Sequence, residues 1–253
     1  MPFGDSRGFR SVVEPSPKPA FPRILLKLSG EVLCHPGGFG IDGEAVNRAA
    51  QLVLVAKEMG CQVAVVIGGG NFIRGAQLSP LGINRATADY MGMLATAINA
   101  MALQDALEKL GSQTRACSGL DIPKVMEPFI RRRAERHLEK GRIVILACGS
   151  GAPFFTTDTA AALRAVELGC HALLKATKVD GVYDKDPKKH SDAQQLKRLS
   201  YMDVMNRGLT VMDKTAITMC MENRLPIIVF GMDDPDNLRG VLRGEPRGTL
   251  IGP

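Results

Sequence analysis

The sequence predicts an α/β fold, a mainly parallel twisted sheet sandwiched between helices. Short apolar runs of strand length alternate along the chain with longer stretches of helical apolar spacing. The short runs are apolar at consecutive positions, the pattern of strands buried on both faces. Beyond residue 20 no repeat, low-complexity tract or linker interrupts the alternation. Residues 21–253 therefore read as one domain with two lobes, behind a flexible tail formed by residues 1–20.

Taken in order, Arg23 to Leu28 (RILLKL) is a short apolar strand carrying one lysine. Gly43 to Met59 has helical apolar spacing and ends before Gly60. Gln62 to Ile67 is the second strand. Arg85 to Leu110 is a long helix rich in Ala, Met and Leu, stopped at Gly111. Gln113 to Cys117 is a third strand. Phe129 to Lys140 is a charged helix closed by Gly141, and Arg142 to Ala147 is the fourth strand. Asp158 to Leu168 is an Ala-rich helix closed by Gly169. His171 to Leu174 and Pro226 to Phe230 are further strands. Residues Val179 to Arg207, rich in charge and turn signals, predict hairpin and loop elements over a site. Parallel strands need crossover helices, which places helices on both sheet faces.

Composition narrows the function. A chain of 253 residues, 45% hydrophobic, buries a sizeable core. No apolar run approaches the roughly 18 residues that span a bilayer. Residues 1–20 mix Pro, Ser, Gly and both charge signs and lack the apolar centre of a signal peptide. A cytoplasmic protein is expected; an organelle address without the usual Ser/Arg bias is the other reading. The six cysteines are widely spaced with no C-x-x-C, so they read as buried, reduced thiols. The four histidines are scattered without metal-ligand spacing, and no protein-bound metal or prosthetic group is expected. The formal net charge is +6, with basic clusters at Arg131–Arg133 and Lys185–Lys189. Nucleic acid, a solvated surface and an anionic small ligand all suit that balance. The 5% aromatic content and the separation of the clusters count against nucleic acid.

Four segments carry candidate chemistry. Gly68-Gly69-Gly70 ends the second strand and Arg74 follows. Without Cβ atoms the backbone is free to take φ > 0 and approach a bound group, its N–H groups form an anion cradle, and Arg74 adds a planar fork. A plain tight turn is the competing reading. Lys27-Leu28-Ser29-Gly30 ends the first strand. A lysine in an apolar strand either points outward at a sheet edge or neutralises a phosphate at the strand's carboxyl end. Gly149 to Asp158 brings glycines, hydroxyls and a carboxylate to a helix start. Thr156, Thr157 or Asp158 would cap that helix, and the same N-terminus attracts phosphate. In Lys175 to Pro187, Tyr183 offers a flat face for a base, and Thr177 and Asp186 offer hydrogen-bonding groups; Asp180-Gly181 and Asp186-Pro187 are otherwise ordinary turns. There is no G-x-x-x-x-G-K-[ST]. The G-x-G-x-x-G at Gly38–Gly43 is rejected as a dinucleotide motif, because about ten residues of loop separate it from the first strand.

The strings KLSG, GFGID (38–42), VVIGGGNFIRG, DYMGMLAT (89–96), GAPFFTTD (151–158), KATKVDGVY (175–183), VMD (211–213) and GTLI (248–251) resemble the bacterial uridylate (UMP) kinase family. That family lies within the amino acid kinase superfamily. The resemblance runs in order from about residue 21 to the end. It implies a carbamate kinase-like fold and transfer of the γ-phosphoryl group of ATP, taken with Mg²⁺ as a substrate complex, to UMP in pyrimidine nucleotide biosynthesis. It also implies a homohexamer built from dimers, activation by GTP and inhibition by UTP. Carried over by residue, Lys27, Leu28, Ser29, Gly30, Gly70, Arg74, Thr177, Tyr183 and Asp186 would bind ATP. Gly69, Asp89, Ser150, Gly151, Ala152, Pro153, Phe154, Phe155, Thr156 and Thr157 would bind UMP, with Asp89 on the ribose. Lys27, Arg74 and Asp213 would be catalytic, Asp213 organising the lysine. Arg115 and Arg142 fall where the family binds GTP. Ser150 stands where the family often has Thr, and residues 118–136 depart from its better-known members. A kinase of the same fold acting on a carboxylate or carbamate, and a non-catalytic nucleotide-binding regulator, are the competing readings.

Overall fold

The computed structural model describes residues 18–73 and 82–253. Most of the expected tail, residues 1–17, and Arg74 lie outside the described residues. Strand β1 (Arg23–Leu28) leads through a 3-10 turn (Gly30–Leu33) to α1 (Gly43–Glu58), β2 (Gln62–Ile67) and α2 (Arg85–Lys109). Then come β3 (Thr114–Ser118), β4 (Glu127–Pro128), α3 (Arg131–Glu139), β5 (Ile143–Ala147), α4 (Thr157–Glu167) and β6 (Ala172–Thr177). The chain closes with β7 (Val182–Tyr183), β8 (Gln195–Leu196), β9 (Arg198–Ser200), α5 (Tyr201–Asn206), α6 (Lys214–Glu222), β10 (Ile227–Gly231), α7 (Pro235–Arg243) and β11 (Thr249–Gly252).

Nine strands form one sheet in the order β4-β3-β5-β2-β1-β6-β10-β11-β9. The β10–β11 pair is antiparallel and the other pairs are parallel. Alternate strand residues feed two cores. Ile24, Leu26 and Leu28 pack with α1, α2 and α7 on one face. Leu25 packs with α3, α4, α5 and α6 on the other. This is the predicted two-sided burial.

The predicted strands stand, β6 running three residues further than expected, to Thr177. Gly111, Gly141 and Gly169 close α2, α3 and α4 with φ of 85°, 71° and 60°, the left-handed stop that only glycine takes without strain. Strands β4, β9 and β11 were not among the predicted ones; at two to four residues they are too short to show a period. Nor were helices α5, α6 and α7. Their capping residues Ser200, Asp213 and Asp234 each accept a hydrogen bond from a first-turn backbone N–H. The expected hairpin within Val179 to Arg207 is the separate β7–β8 ribbon.

Candidate active site

The loops after β1, β2, β5 and β6 gather at the carboxyl end of the sheet, where open α/β sheets bind ligands. The glycine run after β2 works there by close approach. None of Gly68, Gly69 and Gly70 has a positive φ, which corrects the expectation of left-handed backbone. A Cβ on Gly69 would stand 2.8 Å from the Gly92 carbonyl oxygen and 2.9 Å from Ala95 Cβ, because α2 crosses directly against it. A Cβ on Gly30 would stand 2.5 Å from Gly68 O and 2.8 Å from Gly70 N. The β1 and β2 loops are thus packed backbone to backbone, which any side chain at these positions would prevent. Among the described residues the nearest neighbour of a Cβ on Gly70 would be Glu31 Cγ at 3.9 Å.

Lys27 and Lys175 are register partners in adjacent strands β1 and β6, so their side chains leave the sheet on the same face. Since β1 lies between β2 and β6, the edge reading of Lys27 falls. Asp158, in the first turn of α4, reaches both: Oδ1 is 2.8 Å from Lys27 Nζ and Oδ2 is 2.8 Å from Lys175 Nζ. The Lys27 contact is an ion pair without hydrogen-bond alignment, since Asp158 Oδ1 is buried with no aligned donor. Lys175 also donates to the Val211 carbonyl. Burial pushes the Asp158 carboxyl up, but the charges of Lys27 and Lys175 outweigh it and hold the group below its usual range. Burial pushes the Lys175 ammonium down; Asp158 opposes this and Lys27 adds to it, leaving a net downward shift.

The resemblance has Asp213 organise the lysine; the carboxylate paired with Lys27 in the structure is that of Asp158. Asp213 caps α6 by accepting from Ala216 N at 3.0 Å. It also accepts from Thr156 Oγ1 at 2.5 Å and Thr159 Oγ1 at 2.8 Å. Its oxygens are saturated by these donors and it makes no ion pair with Lys27. It ties the first turns of α4 and α6 together, and its charge helps hold the Lys175 ammonium up. Thr156 is the cap of α4, accepting from the N–H groups of Asp158 and Thr159.

Two cavities open beside the Lys27–Asp158–Lys175 row. One, of about 280 Å³, is lined by Gly69, Gly70, Asp89, Ser150, Phe155, Thr156 and Thr157 among others. The second, of about 630 Å³, lies under the β7–β8 ribbon and takes in Lys175, Thr177, Tyr183 and Asp186. The loop between β5 and α4 borders the smaller cavity in a strained conformation. Cys148 and Phe154, both non-glycine, have φ of 59° and 70°. Each is held from α2: Cys148 N–H donates to Thr96 Oγ1 at 2.7 Å, and Phe154 N–H to Asp89 Oδ2 at 2.7 Å. Arg85 braces the same point, donating to Asp89 at 2.9 Å with its guanidinium 5.6 Å from the Phe154 ring centre.

A family model described as the amino acid kinase family matches residues 22–231. The chain belongs to the amino acid kinase family. It is 57% identical to the uridylate kinase of Xanthomonas campestris pv. campestris over 232 residues, 92% of this chain and 97% of that one. Its fold is similar to the crystal structure of UMP kinase from Bacillus anthracis, with a TM-score of 0.89 and 38% identity, covering 92% of this chain and 96% of that chain. It is also similar to UMP kinase from Ureaplasma parvum, with a TM-score of 0.85 and 34% identity over 91% of this chain and 98% of that chain.

Within this amino acid kinase site, the structure brings together the Lys27–Gly30 segment, Gly69, Gly70, Asp89, Ser150 and Phe155–Thr157. Thr177, Tyr183 and Asp186 sit at the larger cavity. Gly151, Ala152, Pro153 and Phe154 do not line the smaller cavity. Arg115 and Arg142 lie elsewhere, near the amino ends of β3 and β5. There Arg115 is 3.7 Å from Glu127. Arg142 Nη1 donates to His137 Nδ1 at 3.0 Å, and His137 Nε2 lies 3.1 Å from Glu127. Two residues of the row were missed as such: Asp158, seen only as a cap, and Lys175. The signal for Lys175 was present, since ALLKAT repeats the lone-lysine pattern of RILLKL.

Proposed function

We propose that this protein transfers the γ-phosphoryl group of ATP to UMP, giving UDP and ADP, as its 57%-identical relatives named uridylate kinase support. The observation that carries the reading is the buried Lys27–Asp158–Lys175 row beside two cavities. UMP takes the smaller one, against Asp89 and the Ser150–Thr157 segment, and the ATP nucleoside takes the larger one beside Tyr183. Mg²⁺ arrives with ATP as part of that substrate.

The UMP phosphate is already anionic and needs no strong base. The obstacle is bringing two anions together, so catalysis rests on position and opposing charge. Lys27 and Lys175 supply fixed cations, Asp158 holds them apart and in place, and the first turn of α4 points its N–H groups the same way. Thr156 and Thr159 bind that turn to Asp213.

Further parts of the reading rest on kinship and on surface features. Tyr90, Leu94, Ile98 and Met101 form an exposed apolar stripe on α2, each 42–50% exposed, which suits the dimer contact of a homohexamer. GTP activation at Arg115 and Arg142, UTP inhibition and a cytoplasmic location complete the proposal. No helix among the described residues is long and apolar enough to cross a membrane. The test is ADP release with Mg-ATP across UMP, CMP, carbamate and glutamate derivatives, with and without GTP and UTP. Turnover with UMP alone among these acceptors is expected. Turnover confined to a carboxylate or carbamate, or none, overturns the reading.

A further inference from the structure

Behind the glycine run lies a buried pair of amide side chains that the reaction as described does not use. Asn99, on α2, is 0% exposed and Asn71 is 2% exposed. They face each other reciprocally. Asn71 Nδ2 donates to Asn99 Oδ1 at 2.9 Å, and Asn99 Nδ2 donates to Asn71 Oδ1 at 2.6 Å. Each has a second hydrogen to give. Asn99 Nδ2 gives its own to the Gly68 carbonyl at 2.7 Å, and Asn71 Nδ2 gives its own to the Gly40 carbonyl at 2.7 Å. All four amide hydrogens are used, so turning either amide over would set N–H against N–H and strand a carbonyl. In a buried site such a network is rigid when complete.

The network matters because of what it fixes. Three glycines in succession give the backbone no intrinsic preference for one peptide orientation. The peptide between Gly68 and Gly69 is trans, and in a trans peptide the C=O and N–H point in opposite directions. Drawing the Gly68 carbonyl inward to Asn99 therefore turns the Gly69 N–H outward. Gly69 lines the smaller cavity, and among the described residues its N–H donates to no protein group. A polar donor left unpaired beside a cavity calls for a partner, and a ligand in that cavity can supply one.

We infer that Asn99, backed by Asn71, is a positioning residue for phosphoryl transfer, which locks the Gly68–Gly69 peptide so that the Gly69 N–H meets the acceptor phosphate. The inference rests on the proposed UMP kinase reaction and adds a residue outside either cavity.

The test uses the full-length enzyme. In the unaltered protein, single-residue hydrogen exchange is expected to show the Gly69 amide exchanging freely and becoming protected on adding UMP. An amide that UMP leaves unprotected overturns the inference. Asn99→Leu, close in shape, removes the lock. The expected result is a kcat per ATP-binding site lowered roughly 10²-fold, as for loss of one oxyanion donor. Its KM for ATP is expected to stay within about threefold, and UMP protection of Gly69 to be lost. A kcat per ATP-binding site within threefold of the unaltered enzyme, with only the melting temperature lowered, marks Asn99 as structural and overturns the inference. Absence of UMP turnover in the unaltered enzyme is a separate outcome; it overturns the UMP reading and the inference with it.

Discussion

Replacing Asp158 by Asn keeps the shape of the lysine row and removes its one negative charge. Lys27 and Lys175 then face each other from adjacent strands with no negative charge between them. Two unit positive charges at about the 5 Å spacing of adjacent strands repel by roughly 3 kcal/mol at an effective dielectric constant of about 20. The native row offsets this with two ion pairs at 2.8 Å, in which the three side chains are only 10–16% exposed, so solvent screens little of it. Breaking a buried pair by removing one partner costs about 3–5 kcal/mol. In a chain of this length that is a fall in Tm of roughly 6–20 °C. The kcat is expected to fall roughly 10²–10³-fold, because the two cations lose their fixed positions. The pH dependence gives an independent sign. Asp158 holds the Lys175 ammonium up against burial and Lys27, so its loss lowers the Lys175 folded-state pKa further below the unfolded value of 10.5. Between those two values the unfolded chain binds the extra proton, so stability rises with pH there. The assay is Tm and kcat from pH 6 to 10 for both proteins. The variant's Tm is expected to climb more steeply with alkaline pH, and its activity to be lost at lower pH as Lys175 discharges. Equal slopes together with near-normal turnover would refute the role given to the row.

Lys27→Met breaks one of the two ion pairs but leaves Asp158 paired with Lys175, so it is expected to lower Tm yet keep the fold while kcat drops roughly 10²–10⁴-fold; near-normal turnover would count against a charge-neutralising role. Asp89→Asn is expected to raise KM for UMP more than KM for ATP, since Asp89 lines only the smaller cavity and holds Phe154 N–H; equal changes in steady-state kinetics would contradict this. Gly30→Ala and Gly70→Ala should separate fold from function. The first forces a methyl to 2.5 Å from Gly68 O and is expected to lower stability by about 1–3 kcal/mol in denaturant titration. The second meets nothing closer than 3.9 Å among the described residues and is expected to spare stability while lowering kcat.

Most of the sheet was legible because its strands are buried on both faces and therefore apolar throughout, as in Ile143–Ala147. The short edge strands and α5–α7 were not, since their positions are set by pairing and capping between segments far apart in sequence. The site divides in the same way. The glycine run and the lone lysine of RILLKL stand out locally. That Asp158 rather than Asp213 meets Lys27 depends on how the start of α4 lies over β1 and β6, which no local pattern records. Asn99 is a further case, polar in a long Ala- and Met-rich helix and meaningful only opposite Asn71 and the Gly68 carbonyl.

The row of two lysines and one aspartate has a consequence for the protein without nucleotide. It sets two ammonium groups against one carboxylate in a largely buried recess, an electrostatic tension that an arriving phosphate relieves. Ligand occupancy and thermal resistance are therefore the same quantity seen in two ways. A ligand at a hundred times its Kd adds about 2.7 kcal/mol of stability, so the melting curve of this enzyme reports its nucleotide supply, and starvation for nucleotides leaves it in its most fragile state.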